Sequence, residues 1–203
     1  MLKLYHSAQS RSVRARWLLE ELGVPYEVVR LNLQAEEHKR PEYLKINPNG
    51  TVPALVDGDL ALFESGAICQ YLADKFPEKR LAPPVGTPAR GLYVQWIHYA
   101  MSGLEPPTVT IFFHTVRKPE AERIPALVTE ARAQLAAVLG VLERALAGRQ
   151  FILGSDFSAA DVMLGSTLGW ASMLGIVGQE RPNVAGYVAR LAGRPAFQRA
   201  SAD

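Results

Sequence analysis

Pro53 constrains the fold more than any other residue, because it stands inside a segment whose neighbours all read as a β-strand. In the stretch from Asn47 to Ser65, NPNGTVPALVDGDLALFES, Asn-Pro-Asn-Gly marks a turn and Val52-Pro53-Ala54-Leu55-Val56 a strand. Asp57-Gly58-Asp59 reads as a tight hairpin connection, and Leu60 to Phe63 as a second, antiparallel strand. Proline has no N–H to give to a ladder, so a sheet accepts it only at an edge, a strand start or a bulge. A ladder that stops there leaves the Val52 N–H and C=O for an extended peptide ligand, which would add a strand to the sheet. The Val52-Pro53 bond is also a candidate cis bond. Glu64-Ser65-Gly66 then opens a helical pattern carried by Ala67, Ile68, Tyr71 and Leu72. Ser65 therefore falls where backbone N–H groups point outward, an anion site suited to a carboxylate.

Upstream, Lys3-Leu4-Tyr5 is a short strand and Ala8 to Ser12 a polar loop. Val13, Trp17, Leu18 and Leu22 recur at helical spacing, with Glu20-Glu21 on the opposite, solvated face and Gly23 as the stop. Val24 to Leu33 reads as a second strand, so strand, helix and strand imply parallel pairing through a right-handed crossover. A short helix is expected near Glu42 to Leu44, and the helix after Phe63 ends near Phe76. Pro77 to Pro88 holds four prolines and almost no periodicity, the composition of a linker. Beyond it the pattern is helical throughout. Leu92, Trp96, Tyr99 and Ala100 share a face of a helix that Pro106-Pro107 is expected to end. Leu127, Ala131, Leu135, Val138, Leu142 and Leu146 define a long bundle helix running to Gly148. Ser158-Ala-Ala-Asp161 is a capping box with Phe157 and Val162 as its hydrophobic staple, and Arg181-Pro182-Asn183 opens a last helix that Pro195 interrupts or follows.

The turn, the strand with an internal proline, the hairpin and the helix opening with Glu-Ser resemble the glutathione-binding half of soluble glutathione transferases. The βαβ-then-ββα order resembles the thioredoxin-like arrangement, FILGSDFSAADVMLG the capped core helix of that family's C-terminal domain, and PNVAGYVARLAGRPAFQRA its closing segment. The resemblance covers essentially the whole chain and is to bacterial-type, serine-type members. It implies an α/β thioredoxin-like domain over residues 1–78, a linker over 79–88, and an all-α helical domain over 89–203 that carries most of the electrophile pocket.

It also implies a chemistry. A free thiol has a pKa of about 8.5, so near neutrality only a few per cent is thiolate, and lowering it by two units takes about 2.7 kcal/mol. One hydroxyl hydrogen bond to the charged sulfur, roughly 1.5–3 kcal/mol, together with a helix N-terminus, roughly 0.3–1 kcal/mol, supplies that. The loop Ser7-Ala-Gln-Ser-Arg-Ser12 offers hydroxyls where the first helix begins. By resemblance Ser10 holds the thiolate, at the position where cysteine-type bacterial classes have their cysteine. Tyr5 falls near the position of the tyrosine-type classes and Arg11 where some of those carry an assisting arginine, while Ser7 and Ser12 compete. Ser10 or Ser12 can equally serve as a plain helix cap, and Tyr5 can simply pack in the sheet. By the same resemblance Glu64 and Ser65 take the γ-glutamyl end, Val52 offers its backbone to the cysteinyl part with Pro53 fixing the geometry, and Thr51 lies beside it. His38-Lys39 resembles the pair that several classes use for the glycyl carboxylate; a solvated charge run among Glu36, Glu37 and Arg40 is the plainer reading.

Other chemistries find little support. The net charge of +2 over 203 residues implies neither nucleic acid nor an anionic membrane as partner, and no apolar run is expected to reach bilayer-spanning length. The N-terminus shows no signal-peptide core, which points to the cytoplasm. Cys69, the single cysteine, forbids an internal disulfide and reads as a core residue. No histidine pair has metal-ligand spacing, so no metal is expected. Trp96, His98, Tyr99, Phe112, Phe113 and His114 are candidates for an electrophile pocket, the bundle core or a dimer interface. The expected protein is thus a cytosolic glutathione transferase, a homodimer acting in detoxification, with glutathione as co-substrate and a small-molecule electrophile. The alternatives are a glutathione-dependent isomerase or peroxidase, and a non-catalytic binding or scaffold protein of the same fold.

Overall fold

In the computed structural model, which describes residues 1–202, the chain forms two compact units: Met1–Ala82 with the segment from Gly193 on, and Pro83–Ala192. The sequence placed all of 89–203 in the helical domain. The segment after Gly193 instead belongs with the first unit, and Asp203 lies outside the described residues.

The first unit runs β1 (Leu2–His6), α1 (Ser12–Leu22), β2 (Tyr26–Arg30), α2 (Pro41–Leu44), β3 (Ala54–Asp57), β4 (Leu60–Phe63) and α3 (Ser65–Lys75). The sheet order is β2-β1-β3-β4, with β1 parallel to β2 and β3 antiparallel to both of its neighbours. β2 is shorter than the ten residues its composition offered. β3 begins at Ala54 rather than Val52, as a missing N–H at Pro53 requires. Gly58 turns the hairpin at φ 60° and Gly23 closes α1 at φ 64°, the left-handed region where a Cβ is unfavourable. Leu4, Trp17, Leu18, Leu55, Ile68 and Leu72 form a core with almost no exposure.

The last helix, α9 (Pro195–Ser201), packs on α1. Phe197 meets Trp17 edge-on at 4.7 Å. Arg194 grips Glu21 through two hydrogen bonds of 2.6 and 2.8 Å, and Arg199 pairs with Glu20 at 2.6 Å. This corrects the reading of Glu20-Glu21 as a solvated face: their side chains are only 20% and 10% exposed. Their partners lie more than 170 positions away, beyond the reach of helical periodicity.

The second unit contains α4 (Pro88–His98), α5 (Glu105–Phe112), α6 (Pro125–Ala145), α7 (Ala159–Met173) and α8 (Pro182–Ala192). Pro106-Pro107 does not end the first helix. A π-helical stretch, Tyr99–Leu104, carries the chain onward and the prolines fall in the first turn of α5, where a missing N–H leaves no helical bond unmade. On α6 the buried stripe is Ala131, Leu135, Leu139 and Leu142, continued by Leu146; Leu139 takes the place expected of Val138, and Leu127 is exposed. By length and composition α6 is long and apolar enough to cross a bilayer, contrary to expectation: it spans 21 residues and contains a stretch of mean hydropathy 1.3. Its apolar stripe at i, i+4 is also that of a bundle helix.

Asp161 locks the start of α7. Its carboxylate accepts from the Ser158 N–H and hydroxyl, the Ile152 N–H and the Tyr187 hydroxyl on α8, at 2.8–2.9 Å. Burial pushes the carboxyl up from its ordinary value, and these donors oppose that. Replacing Asp161 with Ala should cost about 3 kcal/mol or more, because it strands the buried Tyr187 hydroxyl and Ile152 N–H; urea denaturation checks this.

Candidate functional site

The register of the sheet gathers the predicted residues of the first unit at one end. Tyr5 pairs with Ala54 and Ala54 with Phe63. One step further along each strand are His6, Pro53 and Glu64, so the loop after β1, the Val52-Pro53 segment and the start of α3 converge there. Val52-Pro53 is cis, and Val52 lies outside the ladder.

The loop after β1 is a network of hydroxyls. The Ser12 Oγ accepts from the Ser7 N–H at 3.1 Å and lies 2.7 Å from both the His6 Nδ1 and the Ser10 Oγ. The Ser10 hydroxyl donates to the Ser7 carbonyl at 2.7 Å, and its oxygen accepts from the Ser12 N–H at 3.2 Å. Ser10 thus touches the first N–H of α1 without being its N-cap, which is Arg11 and makes no side-chain capping bond. Ser12 is fully buried, whereas Ser10 is half-buried and Arg11 exposed. Tyr5 takes another direction. Successive strand residues leave opposite faces of a sheet, so Tyr5 and His6 diverge. The Tyr5 ring packs on Tyr43 at 5.4 Å and lines a cavity of about 420 Å³ with Leu31, Glu37, Arg40, Glu42 and Ile46.

At the start of α3, Glu64 holds φ 71° and ψ 114°. A non-glycine residue at such an angle costs on the order of 1–3 kcal/mol and persists only where its surroundings impose it. Ser65 is buried and accepts a 3.1 Å hydrogen bond from the guanidinium of Arg14, itself buried on α1. The helix start therefore has a cation behind it, which reinforces the positive potential of its N–H groups. Cys69, one turn further, is fully buried; desolvation pushes its thiol up to about 12 against the pull of Arg14, so it is no nucleophile.

Asn47, buried, fixes the loop before β3. Its amide donates to the Thr51 carbonyl at 2.7 Å and its oxygen accepts from the Asn49 N–H at 3.1 Å. The Tyr43 hydroxyl donates to the same carbonyl, and burial pushes that phenol up to about 12, which keeps it a donor. Gly50, at φ 55°, sits where a Cβ would lie 3.0 Å from the His38 carbonyl and closer still to the Lys39 ammonium. The turn is thus packed against His38-Lys39, in a 3-10 turn over Glu37–Lys39. Lys39 reaches the Asn49 carbonyl at 3.4 Å, and the His38 Nδ1 is buried with no hydrogen-bond partner among the described residues.

His6, Arg14 and Asn47 were not singled out in the sequence. The signals were present only as residue type: a histidine ending a strand, an arginine on the apolar side of a helix, an asparagine before Pro48. The aromatic candidates of the second unit contact one another and their neighbours, Trp96 on Tyr99 at 5.4 Å and Phe112 on Phe113 and Trp170 at 5.9 and 5.1 Å, with Phe113 itself exposed. His114 is buried and accepts from the Ile124 N–H at 3.0 Å, while His98 is exposed. Among the described residues no group of histidine, cysteine and carboxylate side chains is arranged to hold a metal.

Residues 1–74 match the family model "Glutathione S-transferase, N-terminal domain", and residues 125–190 match "Glutathione S-transferase, C-terminal domain". The chain is 34% identical to Glutathione S-transferase 3 of Zea mays, over 98% of its own length and 92% of that protein. It is 30% identical to Glutathione S-transferase GstA of Escherichia coli O157:H7, over 97% and 96%. Among solved structures it is similar to the theta class glutathione S-transferase of Xanthomonas axonopodis pv. citri with glutathione bound, at TM-score 0.88 and 34% identity, covering 100% of this chain and 97% of that one. Another is the glutathione transferase URE2P6 of Phanerochaete chrysosporium with oxidized glutathione, at TM-score 0.88 and 32% identity, covering 98% and 94%. The chain belongs to the glutathione transferase family. It is a glutathione transferase, built on a thioredoxin-like domain followed by helices.

Replacing Asn47 with Ala should lower stability by about 1–3 kcal/mol, since Thr51 loses a buried donor; thermal unfolding followed by circular dichroism measures it.

Proposed function

We propose that the protein conjugates the glutathione thiolate to a small hydrophobic electrophile, with Ser10 as the hydroxyl that holds the sulfur. The observation that carries this reading is the difference among the four competing hydroxyls. Ser12 is buried and engaged on every side, Tyr5 packs on Tyr43 across the sheet, Ser7 enters the serine network through its N–H and carbonyl, and Ser10 is the half-buried residue whose hydroxyl joins that network at the start of α1. Arg11, exposed beside Ser10, adds positive charge to the same turn.

Glutathione would lie along the converging segments. Its γ-glutamyl carboxylate would meet Ser65 and the first N–H groups of α3, its ammonium Glu64, and its cysteinyl backbone Val52, with Pro53 and Thr51 shaping the approach. His38 and Lys39 would take the glycyl carboxylate, giving the unpaired His38 Nδ1 a reason to be there. Two of the similar proteins hold glutathione or its oxidised form, which agrees with this occupant. Catalysis then consists of holding the thiol ionised and presenting it to an electrophilic carbon. The helical unit would supply most of the electrophile pocket. Family membership supports a cytoplasmic homodimer acting in detoxification.

Ser10→Ala should lower turnover by roughly ten- to a hundredfold, the worth of about 1.5–3 kcal/mol, while glutathione affinity changes little. Steady-state kinetics with a chlorinated nitrobenzene, alongside calorimetric titration of glutathione, reads both quantities. Unchanged turnover would remove Ser10 from the role. Ser65→Ala should do the reverse, weakening glutathione binding about tenfold or more. A protein that binds glutathione but turns over no electrophile, and no peroxide or isomerisation substrate either, would be a holder.

A further inference from the structure

We infer that His6 is a positioning residue for thiol activation, fixing the direction of a hydrogen-bond chain that ends on the Ser10 hydroxyl. The inference rests on the assignment of Ser10 made above. His6 ends β1 and is 1% exposed. Its Nδ1 lies 2.7 Å from the Ser12 Oγ, and its Nε2 3.4 Å from an Nη1 of Arg16, which also engages the Tyr26 hydroxyl.

A guanidinium only donates. The Nε2 facing Arg16 must therefore accept, and the ring proton sits on Nδ1 and is donated to Ser12. The Ser12 Oγ also accepts from the Ser7 N–H, so both of its lone pairs are filled. The one Ser12 proton is shared between the Ser7 carbonyl at 3.0 Å and the Ser10 Oγ at 2.7 Å, so Ser12 acts toward Ser10 only as a donor and cannot capture the Ser10 proton. That proton goes to the Ser7 carbonyl in the free protein and turns to the sulfur when a thiolate arrives. Accepting from Ser12 also polarises the Ser10 O–H and makes it a stronger donor. The polarity runs one way, from Arg16 through His6, Ser12 and Ser10 to the ligand.

Removing the imidazole donor reverses that polarity. With a vacant lone pair, Ser12 competes with the sulfur for the Ser10 proton. His6→Leu should therefore raise the thiol pKa of bound glutathione by about one unit, a tenfold smaller thiolate fraction at a fixed pH below it. His6→Asn, whose amide N–H can stand in for Nδ1–H, should keep most of the wild-type value. Ser12→Ala removes the polarising donor but leaves no acceptor to compete for the Ser10 proton, so the thiol pKa should rise there too, by less than in His6→Leu, and that smaller rise keeps the inference testable if His6→Leu does not fold. The experiment is an ultraviolet titration of bound thiolate in the wild type, these three variants and Ser10→Ala. A rise of about one unit in His6→Leu and a smaller one in Ser12→Ala, with the wild-type value kept in His6→Asn, supports the chain. If Ser10→Ala loses the shift and the other variants keep it, the Ser10 assignment holds and this inference falls. If Ser10→Ala also keeps it, both fall.

Discussion

Residue 53 has no N–H, and the geometry of the site follows from that single deficit. β3 is the strand on which β1 and β4 both pair, and its ladder begins at Ala54. Because Ala54 faces Tyr5 on one side and Phe63 on the other, the point at which pairing stops is also where β1 gives way to its serine loop and β4 to α3. A strand that ended two residues earlier or later would separate these segments by about 7 Å. Three chain segments distant in sequence are thereby brought to one rim, two of them leading directly into helix N-termini. Such a rim suits a ligand with an extended backbone and negative ends.

Electrostatics at this rim come from the side of the protein, not from solvent. Arg14 stands behind Ser65, and Arg16 behind His6. Both are buried on α1, a helix with no acidic residue in its first turn. A cation in a low-dielectric setting acts on nearby anions more strongly than an exposed one does. On the far side of α1 the charges are neutralised instead, where Glu20 and Glu21 hold Arg199 and Arg194 and so anchor α9. One helix thus does two jobs. It lends positive potential to the rim, and it ties down the end of the described chain.

What could be read from the sequence was what is encoded locally. Pro53 within a strand, Gly58 in a hairpin, Gly23 after a helix and Ser158 three residues before Asp161 each declare a backbone geometry, and the elements they bound are found with small shifts at their ends. What escaped depended on partners far along the chain or on a rule that admits exceptions. Glu20-Glu21 looked solvated because Arg194 and Arg199 are remote. Pro106-Pro107 looked like a stop because a π-helical stretch that relocates the prolines to a first turn leaves no signature in hydrophobic spacing. His6 and Arg14 were invisible as site residues because periodicity assigns a strand-end histidine and a helical arginine no direction. Among the four candidate hydroxyls the sequence left an open choice. Burial sets Ser12 apart from the others, and strand alternation sends Tyr5 to the opposite face.

Glutathione lying along this rim with its sulfur on Ser10 is the placement on which the proposed chemistry depends. A crystal structure of the protein with glutathione tests that most directly. The expected result is the sulfur within hydrogen-bond reach of the Ser10 Oγ, the γ-glutamyl carboxylate at Ser65 on the first turn of α3, and the ligand backbone paired with Val52. A sulfur seated against the Tyr5 hydroxyl, or a glutamyl end away from α3, would contradict it.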